Sequence, residues 1–186
     1  MGFASFMWHY CSMQTWLTGQ LLVAAPMLRD PNFYRTVVLI LRHDEEGAMG
    51  VILNRPSTEQ AALYLPEWES QLEPEATVFV GGPVQPEVAI GFSRPFELSH
   101  PDTGLVDFTT PTEHYDNGPI RVFAGYAGWG PHQLESELEE SAWIVLPPDW
   151  GDLFTEEPEG LWGQVLARQG GRLAMLATFP PDLSLN

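Results

Sequence analysis

The sequence predicts an α+β fold: a single compact domain with a mixed, mostly antiparallel sheet flanked by short helices. Three observations point there. At 186 residues the chain is the size of one ordinary domain, ~100–200 residues. Its apolar runs are short, rich in β-branched residues and bounded by Gly, Pro and Asp clusters, which reads as strand rather than helix. Those strands come as hairpins early and alternate with short helices later, unlike the regular alternation of a doubly wound nucleotide fold. With 44% hydrophobic and 12% aromatic residues, a core forms without help from disulfides or metals.

Taken in order, Gln20–Ala25 is a short apolar run closed by Pro26 and predicts a buried strand. Thr36–Leu41 (TVVLIL) is apolar on both faces, as a strand covered on both sides must be. Asp44-Glu45-Glu46-Gly47 then predicts a four-residue loop into a second arm, Ala48–Asn54, so the pair is an antiparallel hairpin. Ser57 or Thr58 is placed to cap a short helix that Pro66 ends, with a further helical turn over 67–72. Thr77–Val80 and Val88–Ser93, around Gly81-Gly82-Pro83, predict a second hairpin. The turn-rich stretch 94–118 contains one strand candidate, Leu105–Thr109.

In the last third, Ile120–Tyr126 predicts a strand that ends in a glycine-rich turn, 125–130. Pro131 suits a first helical position, and the segment after it sets Leu134 and Leu138 on one face with acidic residues on the others. Ala142–Leu146 predicts a strand and Pro148–Phe154 a short helix. Leu161–Gln169 is a helix stopped by Gly170-Gly171, and Leu173–Phe179 is a final strand. Residues 1–18 read as a poorly ordered N-terminal extension, the first twelve as upstream of the native start, ahead of a domain over 19–186.

Charge narrows the function classes. The chain carries 25 Asp and Glu against 8 Lys and Arg, a net −17, and all eight cations are arginine. Without lysine there is neither a P-loop nor Schiff-base chemistry. A −17 chain repels nucleic acid and anionic membrane surfaces unless its arginines cluster. The lone cysteine, Cys11, excludes an intramolecular disulfide and fits a reducing compartment, so a cytoplasmic location is expected. No apolar run approaches the roughly 20 residues of a membrane-spanning helix.

Several segments together, GQLLVAAP, DPNFYRTVVLILRHDEEGAMGVILNRP, GGPV and GYAGWGPHQLESELEESAW, resemble the AlgH/YqgE-like family of bacterial proteins over residues 19–180. The resemblance implies a bifurcated, partly barrel-like sheet flanked by helices. For function it implies little: the family is uncharacterised, and its transcriptional-regulator label rests on a genetic association. His132 departs from the small or polar residue expected in the motif.

The candidate site combines Arg35, Asn54, Arg55, the Gly81-Gly82 turn, Tyr126 and the Gly128–Gly130 turn with Trp129. Arg35 and Arg55 lie at ends of the hairpin strands, where their guanidinium groups can meet on one rim. Backbone N–H groups from the Gly81-Gly82 turn and from the start of the 131–140 helix would complete an anion pocket, with Tyr126 and Trp129 as a stacking wall. Glu135 falls in the family motif, placed to cap or to pair with an arginine across the sheet. The competing reading makes Asn54-Arg55-Pro56 a structural turn, the glycines a device for close packing, and Arg35 the partner of a carboxylate.

His132 and Glu135 have the spacing of half a metal site, whose other half would come from His43 with Asp44 or Glu45; no metal or cofactor is assigned. Ser99-His100-Pro101-Asp102 and the 91–95 segment read as turns rather than hydrolase elements. The helix over 131–140 has no cation with which to read DNA. The expectation is therefore a regulatory or interaction protein that works by protein contact or by sensing a small anion. The alternative is an enzyme with its substrate at the Arg35/Arg55 rim, and a DNA-binding regulator ranks last.

Overall fold

The computed structural model describes residues 16–73, 75–94, 104–115 and 117–180. The assigned extension up to residue 15, including Cys11, and the Ser99–Asp102 segment lie outside the described residues. Among those described, nine strands form one sheet: β1 (Leu21–Ala24), β2 (Val37–Asp44), β3 (Gly47–Ile52), β4 (Pro56–Gln60), β5 (Thr77–Val80), β6 (Val84–Phe92), β7 (Leu105–Val106), β8 (Arg121–Trp129) and β9 (Trp143–Leu146). Three α-helices and several short 3-10 turns complete the fold among the described residues: the α-helices are α1 (Gln133–Glu139), α2 (Leu161–Ala167) and α3 (Gly171–Leu176). The α+β class is as the sequence predicts.

The main path runs β4-β5-β8-β3-β2-β1-β9, with β6 paired to β8 and β7. β8 is where the sheet divides. Its first half lies between β5, parallel to it, and β6, antiparallel; its second half meets β3 along the edge that β5 has left. Gly81 makes the crossing, donating its N–H to the Ala124 carbonyl and accepting from Ile52 N–H, both at 2.8 Å. A Cβ on Gly81 would sit 2.3 Å from the Gly125 oxygen, and one on Gly82 (φ 157°) 2.1 Å from the Tyr126 carbonyl carbon. Only glycine permits this approach.

The central strands are buried on both faces, as their unbroken apolar runs require. Val37, Leu39 and Leu41 enter one core with Phe79, Phe123 and the α2 residues Trp162 and Val165. Val38 and Ile40 enter a second, closed by Trp129, Trp143 and Leu134 of α1. A third, smaller core around Trp68, Val78, Ile120 and Val122 lies beyond the split. The β2–β3 hairpin forms with a tighter turn than predicted, because the strands extend to the Asp44↔Gly47 pair. Arg42, exposed, bonds both Asp44 and Glu46 across this turn, and the hydrogen bond from its guanidinium holds the Asp44 carboxyl below its ordinary value.

Other expectations are corrected. Residues 56–60 are an edge strand rather than a helix start: Ser57 Oγ accepts Glu59 N–H within it, and helical structure, of 3-10 type, begins at Ala61. β5 and β6 do not pair as a hairpin, since β8 comes between them. The strand expected over 105–109 is only two residues long, because Asp107 folds back to accept from the Thr109 N–H and hydroxyl. β8 runs through the glycines 125 and 128 to Trp129, so no turn interrupts it before Gly130. Pro131 precedes α1, whose N-cap is His132 in the left-handed region (φ 62°).

Residues 148–154 form turns, in which Asp149 and Asp152 side chains accept the N–H groups a helix would have used. α3 replaces the final strand because Leu173 and Leu176, one helical turn apart, both pack on the first core.

Two glycine substitutions separate close packing from ordinary propensity. Gly82→Ala is expected to lower the unfolding free energy by about 2–3 kcal/mol, since backbone must move to admit the methyl. Gly163→Ala, in α2 with nothing within 4 Å of the added carbon, raises it by about 0.5–1 kcal/mol. Urea denaturation of both variants against the parent chain checks the pair.

Candidate functional site

The residues singled out in the sequence fall into two groups at opposite ends of β3. Arg35, Asn54 and Arg55 gather with Gly81 beyond its C-terminal end; Trp129 and Glu135 lie at its hairpin end, where Ala48 pairs with Trp129. A strand rises ~3.3 Å per residue, so residues 48 and 54 are roughly 20 Å apart. Tyr126 sits between the groups on β8, across from Val84.

At the first end each polar group is engaged by the chain itself. Asn54, buried, accepts Val37 N–H at 2.9 Å and donates to the Arg35 carbonyl at 2.9 Å. Arg55 Nη2 donates to the carbonyls of Tyr34 (2.9 Å) and Pro31 (3.4 Å), while its own carbonyl accepts Val80 N–H. Arg35 takes a left-handed backbone (φ 54°), lays its guanidinium 3.9 Å over the Trp162 ring and donates to the Phe179 carbonyl at 2.7 Å. These three residues fasten the 30–36 loop to the ends of β2 and β3. Gly81 spends its N–H on β8, and Gly82 is pressed against Tyr126 backbone.

At the second end α1 presents its carboxylates inward as well as outward. Glu137 Oε2 accepts the indole N–H of Trp129 at 2.8 Å and of Trp143 at 2.7 Å, and its Oε1 accepts from Gln133. Glu135 meets His43 Nε2 at 3.1 Å. His43 Nδ1 accepts Leu17 N–H at 3.1 Å, so the ring proton resides on Nε2 and is donated to Glu135. The spacing predicts one half of a metal site at His132 and Glu135 and the other at His43 with Asp44 or Glu45; of these, His43 and Glu135 are the pair in contact. The His43 lone pair, however, is occupied by backbone, and His132 is exposed. Among the described residues no three His, Cys, Asp or Glu side chains gather to hold a metal ion. The acidic face of α1 is thus only in part a solvated one.

An open concavity lies elsewhere, on the face of β5, β8 and β6 turned away from the large core. It is a groove of about 450 Å³ walled by Tyr64, Leu65, Val78, Val80, Val88 and Ala89. Val80 is 46% exposed and Val88 40%. The groove exists because β6 slips register: Val84 pairs with Tyr126 but Ala89 with Ala124, so residues 85–88 arch away, with Gln85 at φ 48° and Pro86 without an N–H to donate. Glu59 and Glu87 stand at its lip; Glu59 accepts the Tyr64 hydroxyl at 2.6 Å and so raises that phenol above its ordinary value. Nothing local in the sequence marks this groove, because it depends on which strand β6 pairs with.

Asn54→Ala leaves Val37 N–H and the Arg35 carbonyl without partners and is expected to cost about 2–3 kcal/mol of stability by denaturant titration. Glu137→Gln, which keeps the shape but loses the charged double acceptor, costs about 1–2 kcal/mol. It also shifts the indole N–H proton resonances of Trp129 and Trp143, which an NMR spectrum reads directly.

The AlgH-like family model (DUF179) matches residues 21–174. A UPF0301 protein of Streptomyces coelicolor is 47% identical, over 91% of this chain and 95% of its own, and one of Thermobifida fusca is 43% identical, over 91% and 96%. The crystal structure of protein DIP2367 from Corynebacterium diphtheriae superposes with a TM-score of 0.77 at 28% identity, covering 88% of this chain and 92% of that one. The solution structure of the AlgH protein from Pseudomonas aeruginosa gives 0.66 at 30% identity, covering 97% and 98%. On sequence and on fold alike, this chain belongs to the AlgH-like family.

Proposed function

We propose that the chain is a non-catalytic regulatory domain of the cytoplasm that works by protein contact, and that its contact surface is the groove between β4–β5 and the β6 arch. The observation that carries this reading is an open apolar groove of about 450 Å³ on a sheet whose two larger cores, among the described residues, are packed against α1 and α2. Exposed valines at the floor of a concave site favour an apolar partner side chain over water. The lip carboxylates Glu59 and Glu87, on a chain of net −17, select the partner's charge. The occupant is accordingly an extended or helical peptide segment with apolar side chains flanked by Lys or Arg. The engagement of Arg35 and Arg55 with backbone carbonyls favours protein contact over anion sensing or catalysis at their rim. The charge of α1, with Glu135, Glu137 and Glu139 and no cation, weighs against reading DNA.

Two synthetic fluorescent peptides with the same apolar residues, one flanked by arginines and one by glutamates, test the reading by anisotropy. The basic peptide binds, more weakly as salt is raised, and Val88→Asp reduces its affinity at least tenfold while the fold is unchanged by circular dichroism. Failure of both peptides to bind, equal binding of the two, or no effect of Val88→Asp overturns it.

A further inference from the structure

We propose a second site: the cavity between the end of β6 and the start of β8 binds a small-molecule carboxylate, with Arg94 and Arg121 as its donors. This cavity, about 450 Å³ and lined by Glu73, Arg94, Pro119, Arg121, Phe154 and Glu156, is separate from the apolar groove and from the Arg35/Arg55 rim.

Three observations carry the assignment. First, two of only eight cations converge on one ring: Arg94 stands 4.8 Å and Arg121 5.8 Å from the centre of Phe154. Arg121 is paired with Glu73, which leaves Arg94 as the charge that a bound anion would offset. Second, Arg121 is 7% exposed and mostly satisfied: Nη1 donates to the carbonyls of Leu153 (3.1 Å) and Thr155 (2.8 Å), and Nη2 to Glu73 at 3.1 Å. Its Nε–H, however, is buried without a partner, which native structures avoid unless a ligand or water completes the bond. Third, Arg94 finds no carboxylate or carbonyl for its guanidinium among the described residues, yet its backbone is held by Gly118 N–H, so the free group is anchored at the cavity wall.

Phe154 is itself fixed in place. Asp152, two residues before it, takes both Nη groups of Arg168 at 2.6 Å. Glu73 and Glu156 on the same wall oppose a polyanion, which restricts the ligand to a single carboxylate, and the Phe154 ring favours one attached to a flat apolar body.

Benzoate is the probe, read by the arginine Nε–H cross-peaks in a proton–nitrogen NMR spectrum of the full chain. Titration moves the Arg121 Nε–H peak saturably, Arg94→Ala weakens the response at least tenfold, and inorganic phosphate at the same pH acts at least tenfold more weakly than benzoate. Arg94 is exposed, so its variant keeps the fold where Arg121→Ala is expected to lose it. An Arg121 Nε–H peak that benzoate leaves in place, a response unchanged in Arg94→Ala, or one equalled by phosphate overturns the assignment.

Discussion

At Gly81 and Gly82 the chain lies so close to β8 that an added methyl would fall 2.1–2.3 Å from backbone atoms of Gly125 and Tyr126. That approach divides the sheet. One edge of β8 serves β5 in parallel along residues 123–124 and β3 in antiparallel along residues 127–129, and the change of partner takes place across Gly81. A residue with a side chain there would push the two halves apart, and the bonds from Gly81 to Ala124 and Ile52 would go with them. The small third core, the arch of β6 and the open face beneath it all lie on the far side of this division.

The scarcity of cations gives each described arginine contact structural weight. Arg35 and Arg55 bond backbone carbonyls that turn or strand geometry leaves free, and Arg168 fixes Asp152 and with it the loop that carries Phe154. A guanidinium suits this use because its planar fork donates to several acceptors at once and remains charged when half-buried. Carboxylates do comparable work from the other side: Glu137 ties two tryptophans, and Glu135 orients His43. Some of the carboxylates behind the net −17 therefore anchor α1 to the sheet.

What the sequence by itself determined is what depends on neighbours along the chain. Two-sided apolar runs required buried strands at 21–24 and 37–41, the spacing of Leu134 and Leu138 set the buried face of α1, and several ordered motifs located the family. Elements failed where the deciding contact is distant: 173–179 pairs with no strand and coils onto the first core, and 57–60 is held extended by β5. Only the tertiary structure decided that β8 separates β5 from β6 and that Arg35 and Trp129 belong to opposite ends of β3. It also decided that open concavities lie at Val80–Val88 and Arg94–Arg121. A local hint did exist for the last: Arg121 is a lone charge inside an apolar strand run, a position that demands partners from elsewhere. Which partners, and which N–H is left over, depends on strand pairings between residues far apart in the chain, and these leave no periodic trace in composition or spacing.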